Sequence, residues 1–174
     1  ELDRALATRT IFNLLGPLVN PGRPPYQIVG VYDPALCRPM AATLGMLGAE
    51  AALVVYGDGL DEIALHGTTL GALWRDGRVT DVEITPEEAG LERRPLEQLR
   101  GGEPRDNAAA LRRLLTGDGD AALRDVVALN AGALAWITGK AADIGIGTAA
   151  ANEILSSGRG AERLALWAEA SHGA

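Results

Sequence analysis

The fold of this chain is decided by residues 27–59, which read QIVGVYDPALCRPMAATLGMLGAEAALVVYGDG. Two short apolar runs with β-branched residues, 27–32 and 51–56, are typical of buried strands. Between them, Asp33 and Pro34 form an N-cap followed by proline at the first helical position, and Gly48 ends the helix. The stretch therefore predicts a right-handed strand–helix–strand crossover, the unit from which parallel sheets are built.

The rest of the chain predicts one hairpin and a series of helices. Asp76-Gly77 is a tight-turn pair between runs 72–75 and 78–84, and it indicates an antiparallel ribbon. Helices are predicted over 4–18, 105–115, 121–138, 148–156 and 161–170. The fold class is α/β: the C-terminal part of a mostly parallel sheet flanked by helices, with one hairpin. Two or three parallel strands are too few for a sheet that five or more helices would cover on its two faces. Further strands are therefore expected upstream of this sequence.

Composition narrows the functional classes. Net charge is −7, with 16 basic and 23 acidic residues, so no basic stripe for nucleic acid is expected. No apolar run approaches the roughly 20 residues of a membrane span. A single cysteine, Cys37, excludes an internal disulfide, and two histidines, His66 and His172, cannot complete a zinc site with it alone. A reducing cytoplasm is the expected compartment.

One pair of carboxylates stands where open α/β sheets bind ligands. Asp61 and Glu62 come just after the predicted strand 51–56, and Gly57 and Gly59 allow the backbone to turn sharply before them. Two carboxylates completed by water and substrate phosphates suit Mg²⁺. A solvated acidic turn without a ligand is the competing interpretation, and the residues alone favour it.

A second glycine-rich segment, Gly145-Ile146-Gly147-Thr148, invites comparison with a dinucleotide-binding loop. No predicted strand precedes it and no third glycine follows at the required spacing. We therefore interpret it as the start of a helix. No catalytic nucleophile or general base is predicted anywhere in the chain.

Several segments, in this order and spacing, resemble anthranilate phosphoribosyltransferases, a family of the nucleoside phosphorylase and phosphoribosyltransferase type. They are RTIFNLLGPL at 9–18, GVYDP at 30–34, GLDE at 59–62, LRGG at 99–102 with Asn107, and LSSG at 155–158. The first and third are the most specific. The resemblance spans nearly the whole chain and implies that the chain is the C-terminal half of such an enzyme. Residues 1–22 would then belong to a small helical domain and hinge, and residues 23–174 to an incomplete α/β domain.

The resemblance also implies chemistry. In that family an Asp-Glu pair binds magnesium, here Asp61 and Glu62, with two ions expected and Glu62 serving both. An arginine near the start of the helix contacts anthranilate, and Arg4 lies one place from the matching position. The implied reaction transfers phosphoribosyl from phosphoribosyl pyrophosphate to anthranilate in tryptophan biosynthesis, by a homodimer at full length. The glycine-rich donor loop GTGGD does not occur in these residues, so they are expected to be inactive alone.

Two other functions remain open. A pyrimidine nucleoside phosphorylase has a similar architecture and uses phosphate as the nucleophile, but a different segment is expected in place of residues 9–18. A non-catalytic module that binds a partner through its C-terminal helices is the alternative from another class.

Overall fold

The computed structural model describes residues 12–172, which divide into two compact units. The first unit contains residues 12–62 and 69–83, and the second contains residues 63–68 and 84–172. Arg4 and most of the predicted first helix lie outside the described residues.

The first unit is a sheet with a helix from the predicted crossover. Its elements are α1 (Phe12–Leu18), β1 (Tyr26–Gly30), α2 (Cys37–Met46), β2 (Ala51–Tyr56), β3 (Thr69–Arg75) and β4 (Arg78–Ile84), the last ending at the boundary with the second unit. The Asp33 side chain accepts a hydrogen bond from the Ala35 N–H at 2.9 Å, and a 3₁₀ turn at Pro34–Leu36 leads into α2. The predicted N-cap is thereby confirmed.

The four strands lie in the order β1-β2-β3-β4. β1 and β2 are parallel, with Ile28 opposite Leu53, as the crossover predicts. β2 and β3 are antiparallel, and β3 and β4 form the predicted hairpin around Asp76 and Gly77, whose φ angles are +52° and +75°. The expectation of a mostly parallel sheet is therefore wrong for the described residues. After β2 the chain reverses through an irregular segment instead of crossing over a helix, so only one neighbouring pair is parallel.

The core of the first unit lies between α2 and the sheet. α2 packs on β2 and β3, and the buried cluster includes Met40, Leu44 and Val54. Trp74 covers Gly45 so closely that a Cβ there would lie 2.1 Å from the indole ring, and its Nε1–H donates to the Ala49 carbonyl at 3.1 Å. Trp74 thus packs against this core as a partly buried side chain.

The end of α1 also contributes to this core. Leu18 packs against the same cluster as a partly buried side chain. The sequence predicts that the helix over 4–18 packs away from the sheet or swaps onto a neighbouring chain, because its apolar residues lack an obvious partner. For Leu18 that expectation is wrong: the turn at Asn20-Pro21 brings the helix end back onto the sheet's own core.

The second unit is mainly helical. Its helices are α3 (Pro104–Leu115), α4 (Ala121–Ile137), α5 (Ile144–Ser156) and α6 (Arg159–His172), with short 3₁₀ turns at Glu87–Ala89 and Leu96–Leu99. α3, α4 and α6 start within two residues of their predicted starts. α5 begins four residues before the predicted start at Thr148, because Asp143 caps it by accepting from the Ile146 N–H at 2.7 Å.

Helices α4 and α5 cross at a pair of glycines. A Cβ on Gly132 would lie 2.4 Å from the Thr148 nitrogen, and a Cβ on Gly147 would lie 2.4 Å from the Gly132 carbonyl oxygen. The backbones can approach this closely only because both positions lack a side chain. Gly147 therefore belongs to a helix contact, in agreement with the interpretation of segment 145–148 as helix.

Among the helices of residues 12–172, none combines the length and the apolar character that crossing a bilayer requires.

Candidate functional site

The candidate site begins with a tight turn at the end of β2. The Gly57 N–H donates to the Leu60 carbonyl at 2.9 Å, and the Leu60 N–H donates back to the Gly57 carbonyl at 3.1 Å. The two residues between them, Asp58 and Gly59, have φ angles of +50° and +98°. Positive φ at both central residues defines a type I′ turn, for which Asp-Gly is a preferred sequence. The turn fixes the backbone immediately before Asp61.

Asp61 lies against the end of the neighbouring strand. Gly30 is the last residue of β1, and a Cβ built there would lie 1.6 Å from the Asp61 carbonyl oxygen. The Val31 N–H still donates to the Val55 carbonyl at 2.9 Å, so the strands stay paired up to this point. Asp61 is therefore seated at the carboxyl edge of the parallel pair, the edge at which open α/β sheets bind ligands.

The two carboxylates of the site are both exposed residues. The surrounding protein withdraws the Glu62 carboxyl partly from water, and this raises the pKa of Glu62 above its ordinary value; the neighbouring charge of Asp61 raises it further. Within residues 12–172, no lysine or arginine forms an ion pair with either side chain. The pair is thus a concentration of negative charge that a cation would neutralise.

The donor set fits a magnesium ion that is shared with a substrate. Within the described part of the chain, no group of three or more His, Cys, Asp or Glu residues could hold a metal by itself. Residues 12–172 therefore do not form a structural zinc site, which requires about four such side chains. Mg²⁺ is commonly held by one or two carboxylates, with water and phosphate oxygens filling the remaining positions. Asp61 and Glu62 match that requirement.

The residue that follows the pair is held by an asparagine from α4. The Ile63 N–H donates to Asn130 Oδ1 at 3.1 Å, and Asn130 Nδ2 donates to the Ile63 carbonyl at 3.2 Å. Ile63 and Asn130 both belong to the second unit. Asn130 was not predicted from the sequence. Its signal was a single amide inside the otherwise apolar run VVALNAGALAWI, where a buried polar side chain needs a partner.

The segment after Ile63 has further anchors within the second unit. The Arg94 N–H donates to the Leu65 carbonyl at 3.0 Å, and the Arg94 guanidinium pairs with Asp125 of α4 at 2.9 Å. Arg93 donates to Thr68 Oγ1 at 3.4 Å. The irregular segment 63–68 is thereby anchored at Ile63, Leu65 and Thr68.

Of the remaining sequence candidates, the structure places Cys37 away from the site. Cys37 is buried in the core of the first unit, and burial, followed by the charges of Asp33 and Asp81, raises the pKa of its thiol, so it is not an activated nucleophile. His66 lies in segment 63–68. Arg4 is outside the described residues, so its role toward anthranilate stays a prediction.

Comparison with known proteins gives the class first. The family model described as "Glycosyl transferase family, a/b domain" matches residues 1–161, and the chain belongs to this family. Within it, the chain is 59% identical over 161 residues to the anthranilate phosphoribosyltransferase of Sorangium cellulosum, a match that covers 92% of this chain and 46% of the relative. The resemblance read from the sequence motifs is confirmed.

Solved structures agree with this relationship. The crystal structure of anthranilate phosphoribosyltransferase from Thermus thermophilus superposes with a TM-score of 0.81 at 46% identity, covering 91% of this chain and 47% of the other. The Saccharomyces cerevisiae enzyme, solved in complex with PRPP and Mg, superposes with a TM-score of 0.76 at 28% identity, covering 93% and 47%. The chain thus spans about half the length of the relatives that it matches.

Proposed function

We propose that this chain is the metal-binding part of an anthranilate phosphoribosyltransferase. The reaction transfers the phosphoribosyl group of phosphoribosyl pyrophosphate to the amine of anthranilate, giving N-(5-phosphoribosyl)anthranilate and pyrophosphate. The observation that carries the proposal is the exposed Asp61-Glu62 pair, seated at the carboxyl edge of the parallel strands and without a cationic partner among residues 12–172. The similarity to the Sorangium cellulosum and Thermus thermophilus enzymes supports it.

The chemistry is a displacement at the sugar. The anthranilate nitrogen forms a bond to the anomeric carbon, the bond from that carbon to the pyrophosphate oxygen breaks, and the amine loses a proton. Magnesium, when bound, neutralises the negative charge that develops on the pyrophosphate. Asp61 and Glu62 would hold the cation through their carboxylate oxygens, and the hydrogen bonds that anchor the backbone before and after them restrict how far the pair can move. No covalent nucleophile is required.

Finer assignments follow from the family resemblance. Two magnesium ions are proposed, with Glu62 contacting both, and Arg4 is proposed to contact anthranilate. Residues 1–22 are proposed to belong to a small helical domain and hinge, and 23–174 to the α/β domain. The full-length protein is proposed to be a cytoplasmic homodimer. Light scattering of the purified protein tests whether it is a dimer.

The proposal is tested by removing both carboxylates from the full-length protein. We expect the double variant Asp61→Asn, Glu62→Gln to lose about 10²-fold or more in kcat/KM, with a raised magnesium requirement, because charge stabilisation of the leaving group is lost. The fold should persist, since both residues are exposed on a loop. Steady-state kinetics across a Mg²⁺ titration measure this, and an unchanged magnesium dependence contradicts the proposal.

Asp76→Asn is the matched control. Asp76 is also an exposed acidic residue in a type I′ turn of the first unit, where asparagine is equally acceptable. Its substitution should leave the magnesium dependence unchanged. To separate the phosphorylase alternative, the full-length protein is supplied with thymidine or uridine and inorganic phosphate; release of free base would favour that alternative, and consumption of anthranilate the present one.

A further inference from the structure

Asn130 makes three hydrogen bonds with a single side chain. Its Oδ1 accepts from the Ile63 N–H at 3.1 Å, while its Nδ2 donates to the Ile63 carbonyl at 3.2 Å and to the Val126 carbonyl at 3.0 Å. Both hydrogens of the amide are thus used, and both main-chain groups of Ile63 are satisfied. Flipping the amide would place its oxygen against two carbonyl oxygens, so the network fixes the orientation.

These bonds act on the peptide next to the carboxylate pair. The Ile63 N–H belongs to the peptide group that joins Glu62 to Ile63, so the bond from Oδ1 restricts rotation of that peptide plane. Ile63 itself is fully buried, with no exposed surface. Ile63 lies outside the sheet and has no strand partner, and the Asn130 side chain bonds both of its main-chain groups instead.

The other end of the pair is fixed independently. The paired hydrogen bonds of Gly57 and Leu60 close the turn immediately before Asp61. Two residues carrying the carboxylates are therefore held between one backbone-closed turn and one side-chain clamp. A metal site that would depend on only two carboxylates needs this kind of restraint, because residues 12–172 offer no group of three or more His, Cys, Asp or Glu side chains to orient the ion.

We propose that Asn130 is a positioning residue for the metal pair Asp61 and Glu62: it holds the Glu62–Ile63 peptide so that the Glu62 carboxylate stays in its metal-binding orientation. This inference rests on the proposed function, since it requires that the pair binds a divalent cation. Asn130 acts through the backbone and contacts neither metal nor substrate in this role.

The test measures metal binding directly. Full-length protein is titrated with Mn²⁺ alone, and binding is followed by electron paramagnetic resonance of free Mn²⁺ and by water proton relaxation. Asn130→Ala is expected to weaken Mn²⁺ binding by about tenfold or more, as changes to residues that support metal ligands typically do. Asn130→Gln keeps an amide that can both accept and donate, on a side chain one methylene longer, and a smaller loss is expected. It also provides a second variant if Asn130→Ala fails to fold.

Asn107 is the matched control. Its Oδ1 accepts from the Gly102 N–H at 2.7 Å and its Nδ2 donates to the Gly102 carbonyl at 3.0 Å, so it clamps a peptide in the same bidentate manner at another loop. Asn107→Ala should leave Mn²⁺ binding unchanged. If Asn130→Ala and Asn107→Ala both lower the melting temperature and neither changes Mn²⁺ affinity, Asn130 is merely structural and the inference is overturned.

The double variant Asp61→Asn, Glu62→Gln separates this inference from the proposed function. If the double variant loses Mn²⁺ binding and the Asn130 variants do not, the metal pair stands and the positioning role is overturned. If the double variant binds Mn²⁺ as well as the parent protein does, the metal assignment fails and the positioning role fails with it. Loss of binding in both, with Asn107→Ala unaffected, supports the inference.

Discussion

Gly30 and Asp61 are in backbone contact across the carboxyl edge of the parallel strands: a Cβ on Gly30 would lie 1.6 Å from the Asp61 carbonyl oxygen and 2.7 Å from the Asp61 Cα. The contact makes the glycine a requirement of the acidic loop, because any side chain would push Asp61 away from the strand. A strand glycine often marks such a close approach by another backbone segment.

Gly30→Ala is expected to destabilise the protein by about 1–3 kcal/mol, the usual cost of forcing atoms into a filled space. It should also weaken Mn²⁺ binding, because the displaced backbone carries Asp61. Gly71→Ala is the control: a Cβ there would lie 2.8 Å from the Val54 carbonyl oxygen, so it strains the same sheet away from the loop. Urea unfolding and Mn²⁺ titration of both variants check this, and equal Mn²⁺ affinities would contradict the role of Gly30.

Two ion pairs differ in exposure, and removing one partner from each is expected to lower the free energy of unfolding by different amounts. The Arg94–Asp125 side chains are 29% and 16% exposed, whereas those of Arg38 and Asp81 are 57% and 72% exposed. Asp125→Ala is expected to lower the free energy of unfolding by about 1–3 kcal/mol, because it leaves a partly buried guanidinium without its partner. Asp81→Ala should cost no more than about 1 kcal/mol. Urea unfolding of the full-length variants measures both, and a larger loss for Asp81→Ala would contradict the comparison.

The thiol of Cys37 is expected to react slowly. Burial raises its pKa first, and the charges of Asp33 and Asp81 raise it further, so the neutral thiol is favoured in the folded protein. The stability that follows from this shift is fully present below the pKa of the unfolded thiol and is lost as pH rises through the folded value. Alkylation by iodoacetamide at pH 8 should therefore be much slower in native buffer than in denaturant. Equal rates in the two conditions would show that the thiol is accessible.

Residues 1–174 prepared as a separate polypeptide are expected not to form phosphoribosyl-anthranilate. A donor with several phosphates is usually held by a cradle of backbone N–H groups, and the family's GTGGD loop does not occur in these residues. Anthranilate fluorescence in the presence of donor and Mg²⁺ measures turnover, with full-length protein at the same concentration as the positive control. Consumption above the blank would show that residues 1–174 build the phosphate site themselves.

Local signals predicted much of the first unit. The crossover, the cap at Asp33 and the Asp76-Gly77 hairpin each depend on residues close in sequence, and each is present. The orientation of β3 against β2 was not predictable in this way, because the connecting segment 57–68 contains no helix or strand pattern that distinguishes reversal from crossover.

For the candidate site, the sequence pointed to the carboxylates only together with the family resemblance, and it did not indicate the residues that support them. Asp61 and Glu62 are adjacent in the chain and follow a recognisable strand. Asn130 reaches Ile63 across 67 residues, and such a pairing is set by tertiary packing, which periodicity does not record. The same holds for Gly30, whose importance depends on a loop that returns to it about thirty residues later.

The crossing of α4 and α5 has a consequence for recognising nucleotide sites by pattern. Gly145 and Gly147 have the spacing that a search for phosphate-binding loops rewards, yet Gly147 serves to bring two helix axes together at Gly132. Gly132 and Gly147 are coupled sterically, because a side chain at either position would force the helices apart. A single methyl group on one helix would therefore displace the backbone of the other. Where glycines alternate at a helix start, the partner helix is therefore the first place to look for a matching glycine, before any phosphate is invoked.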